Sequence, residues 1–227
     1  MDACFFDVDG VVVDSERHWV PLENDRILPS VVDAPAGEGP TASEITGMNV
    51  RDAYAYLDRE YGTTVDLDGY LDVYDDAAAA LYDDRVALMP GFESLVDDLR
   101  RDGVAVALVS SSPHRWLDRV LDRFELRGTL DAVVSAEDVD GPGKPAPGVY
   151  EAAASLVDAD LPRSVAVEDS THGLAAARAA GATAIAYRAN ANADESFPDA
   201  DAVVDGPDAL RDSLDARRKS LDPHRDA

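Results

Sequence analysis

Two aspartates two residues apart, Asp7 and Asp9, sit in the stretch Phe5 to Glu16, FFDVDGVVVDSE. The apolar run before them, Ala3 to Phe6, is too short for a confident helix and reads as a buried parallel strand entering a tight loop. Loops leaving the carboxyl ends of parallel strands are where open α/β sheets place their chemistry. Both carboxylates would project above that edge and repel each other unless a proton or cation lies between them. A hard divalent metal is the simplest neutraliser, and Mg2+ suits oxygen ligands.

Further polar groups end three later segments: Ser110 in Ser110-Ser111-Ser112, Lys144 in Gly-Pro-Gly-Lys-Pro, and Glu168-Asp169 after Val165-Ala-Val167. Each has a plain explanation alone. The serines and Glu168-Asp169-Ser170 can cap helices, and Lys144 can be a solvated loop residue. Lys144 is nonetheless unusual, because only it and Lys219 are lysines among 20 basic residues. Together the groups form one coherent device. An aspartate carboxylate can attack phosphorus and split one hard displacement into two easier ones. A partner two residues on can protonate the leaving oxygen and then deprotonate water. Mg2+ between Asp7, the Asp9 backbone carbonyl and Asp169 would cancel repulsion, while a lysine and a hydroxyl grip the remaining phosphoryl oxygens.

Positioning these groups requires a particular chain order. From Ser15 to about Leu88 the pattern is helical, with candidates at Ser15 to Leu28, Val50 to Tyr61 and Leu67 to Leu88. A loop from Ser30 to Pro40 interrupts it, and Thr41-Ala-Ser-Glu44 has capping-box spacing before a turn at Gly47. Leu71, Tyr74, Ala78, Leu81 and Tyr82 form a stripe for packing helix on helix. After Pro90-Gly91 strands and helices alternate: helix Phe92 to Arg101, strand Val104 to Val109, helix Pro113 to Phe124 and strand Ala132 to Ser135. Next come helix Gly148 to Val157, strand Val165 to Glu168, helix Thr171 to Ala180 and strand Ala182 to Ala186, then Ala202 to Val204 and helix Pro207 to Ala216. The expectation is an α/β fold, a Rossmann-like parallel sheet with helices on both faces. Residues 1–14 and 89–227 make its core, and 15–88 form a small helical domain inserted after the first strand. Asn190 to Asp199 and the tail from Arg217 are expected to be mobile.

Composition narrows the functional classes. With 227 residues, 46% of them hydrophobic, the chain can bury a full core despite a net charge of −26. Such acidity excludes nucleic acid and anionic lipid as natural partners and is expected of a protein in a salt-rich, halophilic cytoplasm. The single cysteine, Cys4, permits no intrachain disulfide and suits a reducing interior. No run approaches membrane-spanning length, so the expectation is a cytoplasmic monomer or weak dimer acting on a small phosphorylated metabolite.

The four motifs, DVDGVVVDSE, LVSSS, GKPAP and VEDSTHG, resemble in order and spacing those of the haloacid dehalogenase (HAD) superfamily. Within it the chain is similar to the subfamily with a helical cap after the first strand, which includes β-phosphoglucomutases and phosphoglycolate-type phosphatases. The resemblance implies that Asp7 is the nucleophile and Asp9 the general acid/base, and that Asp7, Asp9 and Asp169 hold Mg2+. Glu168 would hold a metal-bound water. Ser110, Ser111 and Lys144 would bind the phosphate, and Gly47 and Arg51 of the cap the rest of the substrate. It also implies cap hinges near Val13 to Ser15 and Leu88 to Gly91. Phosphoglucomutases carry a histidine where this chain has Trp19, with His18 one place early. The implied activity is therefore a phosphatase working through an aspartyl phosphate, with a phosphosugar mutase second and a non-catalytic HAD-scaffold binding protein third. His18, Trp19, Arg51, His114 and Arg115 could face the cleft, or could pack or pair at the surface.

Overall fold

A computed structural model describes residues 1–35, 37–189 and 192–221. Its centre is β1 (Ala3–Phe6), four fully buried residues between two parallel neighbours. On one side lie β2 (Ala105–Ser110) and β3 (Ala132–Ser135). On the other lie β4 (Val165–Glu168), β5 (Thr183–Arg188) and β6 (Ala202–Asp205), so the order is β3-β2-β1-β4-β5-β6. The order reverses at β1. In an open parallel sheet the crevice beyond the carboxyl ends at that reversal is the natural ligand site.

Alternation along β1 serves both faces. Phe5 points to the side covered by α8 (Gly148–Leu156) and α9 (Thr171–Ala180), and its ring meets Tyr150 at 6.1 Å. Phe6 points the other way, where its ring meets Phe92 of α6 (Phe92–Arg101) edge-on at 5.4 Å. Burying one such side chain stabilises the fold by about 2 kcal/mol. On the Phe6 side the core continues without a break into the helical insertion.

That insertion contains α1 (Glu16–Leu22), α2 (Leu28–Val31), α3 (Ala42–Ile45), α4 (Val50–Glu60) and α5 (Leu67–Asp84). The expected Ser15 to Leu28 helix is thus two α segments joined by a π-helical turn, Glu23–Ile27, two residues after Pro21. The capping box at Thr41 and Glu44 is present. The two connections back to the sheet lie side by side, with Val13 bridged to Leu88 and Met89 N–H donating to Val12 O at 2.8 Å.

Two expectations need correction. The tail from Arg217 is not loose: α10 (Gly206–Leu221) buries Leu210 and Leu214, so helix continues to Leu221, and 222–227 lie outside the described residues. The loop from Asn190 is anchored at two points, with 193–196 exposed between them. Asn192 and Phe197 are buried, because the Asn192 amide satisfies two carbonyls and Phe197 joins the core beside α9; residues 190 and 191 are not described. Between β2 and α8 runs α7 (His114–Arg123), which packs against α5 and so joins the insertion to the sheet.

Candidate active site

Strand register brings distant residues together. Phe6 pairs with Val167, and Asp7 N–H donates to Val167 O at 3.0 Å, so Asp7 emerges beside Glu168 and Asp169. Phe6 also pairs with Leu108, placing Ser110 at the neighbouring strand end. Lys144 arrives from the loop before α8, and its ammonium spends all three protons: Asp7 Oδ1 at 2.8 Å, Val109 O at 2.9 Å and Glu168 Oε1 at 2.6 Å. Burial disfavours that charge, but Asp7 and Glu168 outweigh it and hold the ammonium above its ordinary range.

Carboxylates outnumber this one cation. Asp7, Glu168 and Asp169 are buried and can offer oxygens within 4.8 Å of one another. Glu168 Oε1 accepts from Lys144 and from the Tyr150 hydroxyl, while its buried Oε2 has no partner. Burial pushes Asp7 up to about 8, partly offset by Lys144 and reinforced by Glu168 and Asp9. Burial, then Glu16, Asp7, Glu168 and Asp9, hold Asp169 well above the usual carboxylate range. A polar atom left unpaired in a dry interior is costly, and three convergent hard oxygens suit a divalent cation. These residues therefore fit Mg2+.

Glycine makes the approach possible. Gly10 has φ +77°, and a Cβ there would lie 1.7 Å from Asp169 Oδ2; one on Gly173 would lie 1.9 Å from Glu168 Oε2. Asn192 holds the loop from behind, donating to Asp169 O at 3.0 Å and Tyr187 O at 3.1 Å.

The Asp9 carboxylate faces the other way. Its Oδ1 accepts from Ser15 Oγ at 2.6 Å and the Tyr82 hydroxyl at 2.5 Å, and its Oδ2 from Ser112 Oγ at 2.7 Å. Those oxygens are engaged, so toward a metal beside Asp7 the residue has its backbone carbonyl to offer. Tyr82 belongs to α5, and its oxygen also accepts from Trp19 Nε1 at 3.1 Å.

Asp7, Asp9, Ser110, Ser111, Gly47, Lys144 and Asp169 all line one cavity of about 80 Å3 between the sheet edge and the helical unit. Ser110 is buried, and its Oγ accepts from Ser112 N–H at 3.0 Å. Ser111 Oγ donates to Gly47 O at 3.0 Å, tying the two units across the cleft. Glu168 sits behind this lining, beneath Lys144.

Arg51 is not brought there. It is exposed in the first turn of α4, because Asn49 caps the helix and gives the inward positions to Val50 and Ala53, which do line the cavity. His18 faces a different hollow beside Leu22 and Arg26. His114 pairs with Asp138, and Arg115 with Asp75 and Glu137. Trp19 does line the cavity, joined by residues the sequence did not single out: Glu16, Glu23, Tyr70, Ser112 and Trp116. Tyr74 and Tyr82 were legible only as members of an apolar stripe.

A family model described as haloacid dehalogenase-like hydrolase matches residues 1–181. Hexitol phosphatase B of Escherichia coli K12 is 32% identical over 179 residues, 78% of this chain and 79% of that one. The crystal structure of CbbY from Rhodobacter sphaeroides in complex with phosphate superposes with a TM-score of 0.75 at 24% identity, covering 93% of this chain and 95% of that one. A β-phosphoglucomutase from Clostridium difficile gives a TM-score of 0.75 at 16% identity, covering 97% and 98%. The last two speak for the fold; the family model and the bacterial relative speak for descent, and on that ground this chain belongs to the haloacid dehalogenase-like hydrolases.

Proposed function

We propose that the protein is a Mg2+-dependent phosphatase that hydrolyses a small phosphorylated metabolite through an aspartyl phosphate on Asp7. The observation that carries the reading is the division of labour between the two aspartates. Asp7 sits among Lys144, Glu168 and Asp169, where a phosphoryl group would be gripped. Asp9, two residues on, is aimed by three hydroxyls toward the helical unit, where the leaving group would lie.

Asp7 attacks phosphorus as the bond to the bridging oxygen breaks, and a protonated Asp9 delivers its proton to that oxygen. Asp9 then takes a proton from water as the water attacks the phosphorus, which releases inorganic phosphate and restores Asp7. Lys144 stays protonated and can exchange one of its hydrogen bonds for a phosphoryl oxygen, while Ser110 offers a hydroxyl from the adjoining strand end. Asp7, Asp169 and the Asp9 carbonyl would hold Mg2+, with Glu168 standing behind them, and the ion would supply positive charge against the developing phosphoryl charge. The kinship with hexitol phosphatase B supports hydrolysis, and so does Trp19 standing where phosphoglucomutases place a histidine. Among the described residues no helix is long and apolar enough to cross a membrane.

Phosphate release from p-nitrophenyl phosphate in Mg2+ and molar KCl tests the reading. Asp7→Asn is expected to lose at least about a thousandfold in kcat; full activity in that variant overturns it.

A further inference from the structure

Lys144 has to release one hydrogen bond before it can hold a phosphoryl oxygen, because all three of its protons are engaged. Resting on the phosphatase reading, we propose that the bond released is the one to Glu168. Tyr150 is then the positioning residue that permits the release, by remaining as a donor to the same oxygen.

Local sequence brings Tyr150 to this place. The loop that carries Lys144 runs into α8, whose first turn buries Val149 and Tyr150. The Tyr150 ring packs with Phe5 in the apolar layer beneath the site. A phenylalanine would fill the same volume with no polar atom to satisfy, so the hydroxyl is the informative group. It donates to Glu168 Oε1, the oxygen that also accepts from Lys144. Burial, then the Glu168 carboxylate, hold the phenol well above its ordinary range, so it remains a donor.

The three acceptors of Lys144 are not equivalent. Asp7 Oδ1 and Val109 O have no other side-chain donor among the described residues, and Asp7 is the attacking group. Glu168 Oε1 has a second one. The other oxygen of that carboxylate, Oε2, is buried without a partner. Were Tyr150 absent, departure of the ammonium would leave a buried carboxylate with no donor among the described residues, which strongly opposes the departure. Placement agrees. Lys144 lines the cavity, whereas neither Glu168 nor Tyr150 is part of its lining, so exchanging Glu168 for a phosphoryl oxygen turns the ammonium from the interior toward the cavity. Lys144 Nζ also lies 5.4 Å from the centre of the Tyr150 ring, within cation–π range, and that contact does not depend on the hydroxyl.

Tyr150→Phe therefore keeps the ring, its packing on Phe5 and its contact with Lys144, and removes only the hydroxyl. Inorganic phosphate is titrated calorimetrically into wild type and variant in Mg2+ and molar KCl, below the melting transition, with turnover of p-nitrophenyl phosphate followed in parallel. The expected result is phosphate affinity weakened about tenfold in the variant. In a Glu168→Gln background the same substitution should weaken it about twofold or less, because a neutral amide releases the ammonium without leaving a buried charge. Equal affinity in wild type and Tyr150→Phe, or an equal loss in both backgrounds, overturns this inference and leaves the phosphatase intact. Tyr150-dependent phosphate binding without any turnover supports the inference and overturns the phosphatase instead; a wild type that binds no phosphate overturns both. The wild type also gives a reading that needs no variant, since Lys144 and Lys219 are the chain's two lysines. With lysine nitrogen isotopically labelled, the Lys144 ammonium has its own magnetic resonance signal, which should shift as phosphate binds; a signal unmoved at saturating phosphate overturns the exchange.

Discussion

The Tyr82 hydroxyl donates to Asp9 Oδ1 at 2.5 Å and accepts from Trp19 Nε1 at 3.1 Å. A residue of the helical unit therefore orients a carboxylate on the sheet edge. Tyr82→Phe removes that donor and leaves the buried Trp19 N–H unpaired, which costs about 1–3 kcal/mol of stability. As a positioning residue, Tyr82 should affect kcat, by about tenfold to a hundredfold, with KM nearly unchanged. Steady-state kinetics below the melting transition check it, and equal changes in both parameters would point to a merely structural role.

Gly10→Ala drives a methyl group into Asp169 at a backbone angle that side chains rarely adopt. Apparent Mg2+ affinity should fall about tenfold to a hundredfold. Isothermal titration with MgCl2 measures it without relying on turnover.

Lys144→Met leaves Asp7 and Glu168 buried without their cation. Breaking such a pair costs about 3–5 kcal/mol. Urea unfolding monitored by circular dichroism should show the loss, with a lower midpoint and an unchanged slope.

Glu44 accepts from the Tyr61 hydroxyl at 2.6 Å, the Tyr56 hydroxyl at 2.8 Å and Thr41 N–H at 2.9 Å. These bonds, Tyr61 foremost, pull its carboxyl down to about 2. A group depressed in the folded state lends stability that is present above its ordinary range and lost as pH falls through the folded value. The stability difference between wild type and Glu44→Gln should accordingly shrink between about pH 5 and pH 2. Thermal melts across that range test it.

Dilution of salt should destabilise the chain, because a net charge of −26 repels itself once the screening length grows from about 3 Å at 1 M to about 30 Å at 0.01 M. Melting temperature against KCl concentration gives the sign directly, and a flat profile would remove the case for a salt-rich setting.

The strand-and-helix order was legible because the signals are local. Apolar runs of four to six residues, glycine and proline punctuation and the helical stripes mark β1, β2, β4 and α5 within a residue or a few. The π-helical turn after Pro21 was not legible, since one wider turn adds about a single residue, too little to register in a pattern read over several turns. The extension of α10 to Leu221 and the packing of Asn192 depend on neighbours far away in the chain.

For the site, chemistry and spacing alone singled out Asp7, Asp9, Lys144 and Asp169, because strand ends in a parallel sheet open onto one edge whatever lies between them. Which way each carboxylate points is another matter. That Asp9 turns toward Tyr82 while Asp7 turns toward Lys144, that Arg51 falls outside, and that Glu23 and Tyr70 reach the cavity were settled only by how the helical unit docks. Tyrosines and a glutamate in an amphipathic helix have the same periodicity whether they fill a core or line a pocket. Only the partner across the gap, and the space left between, distinguishes the two.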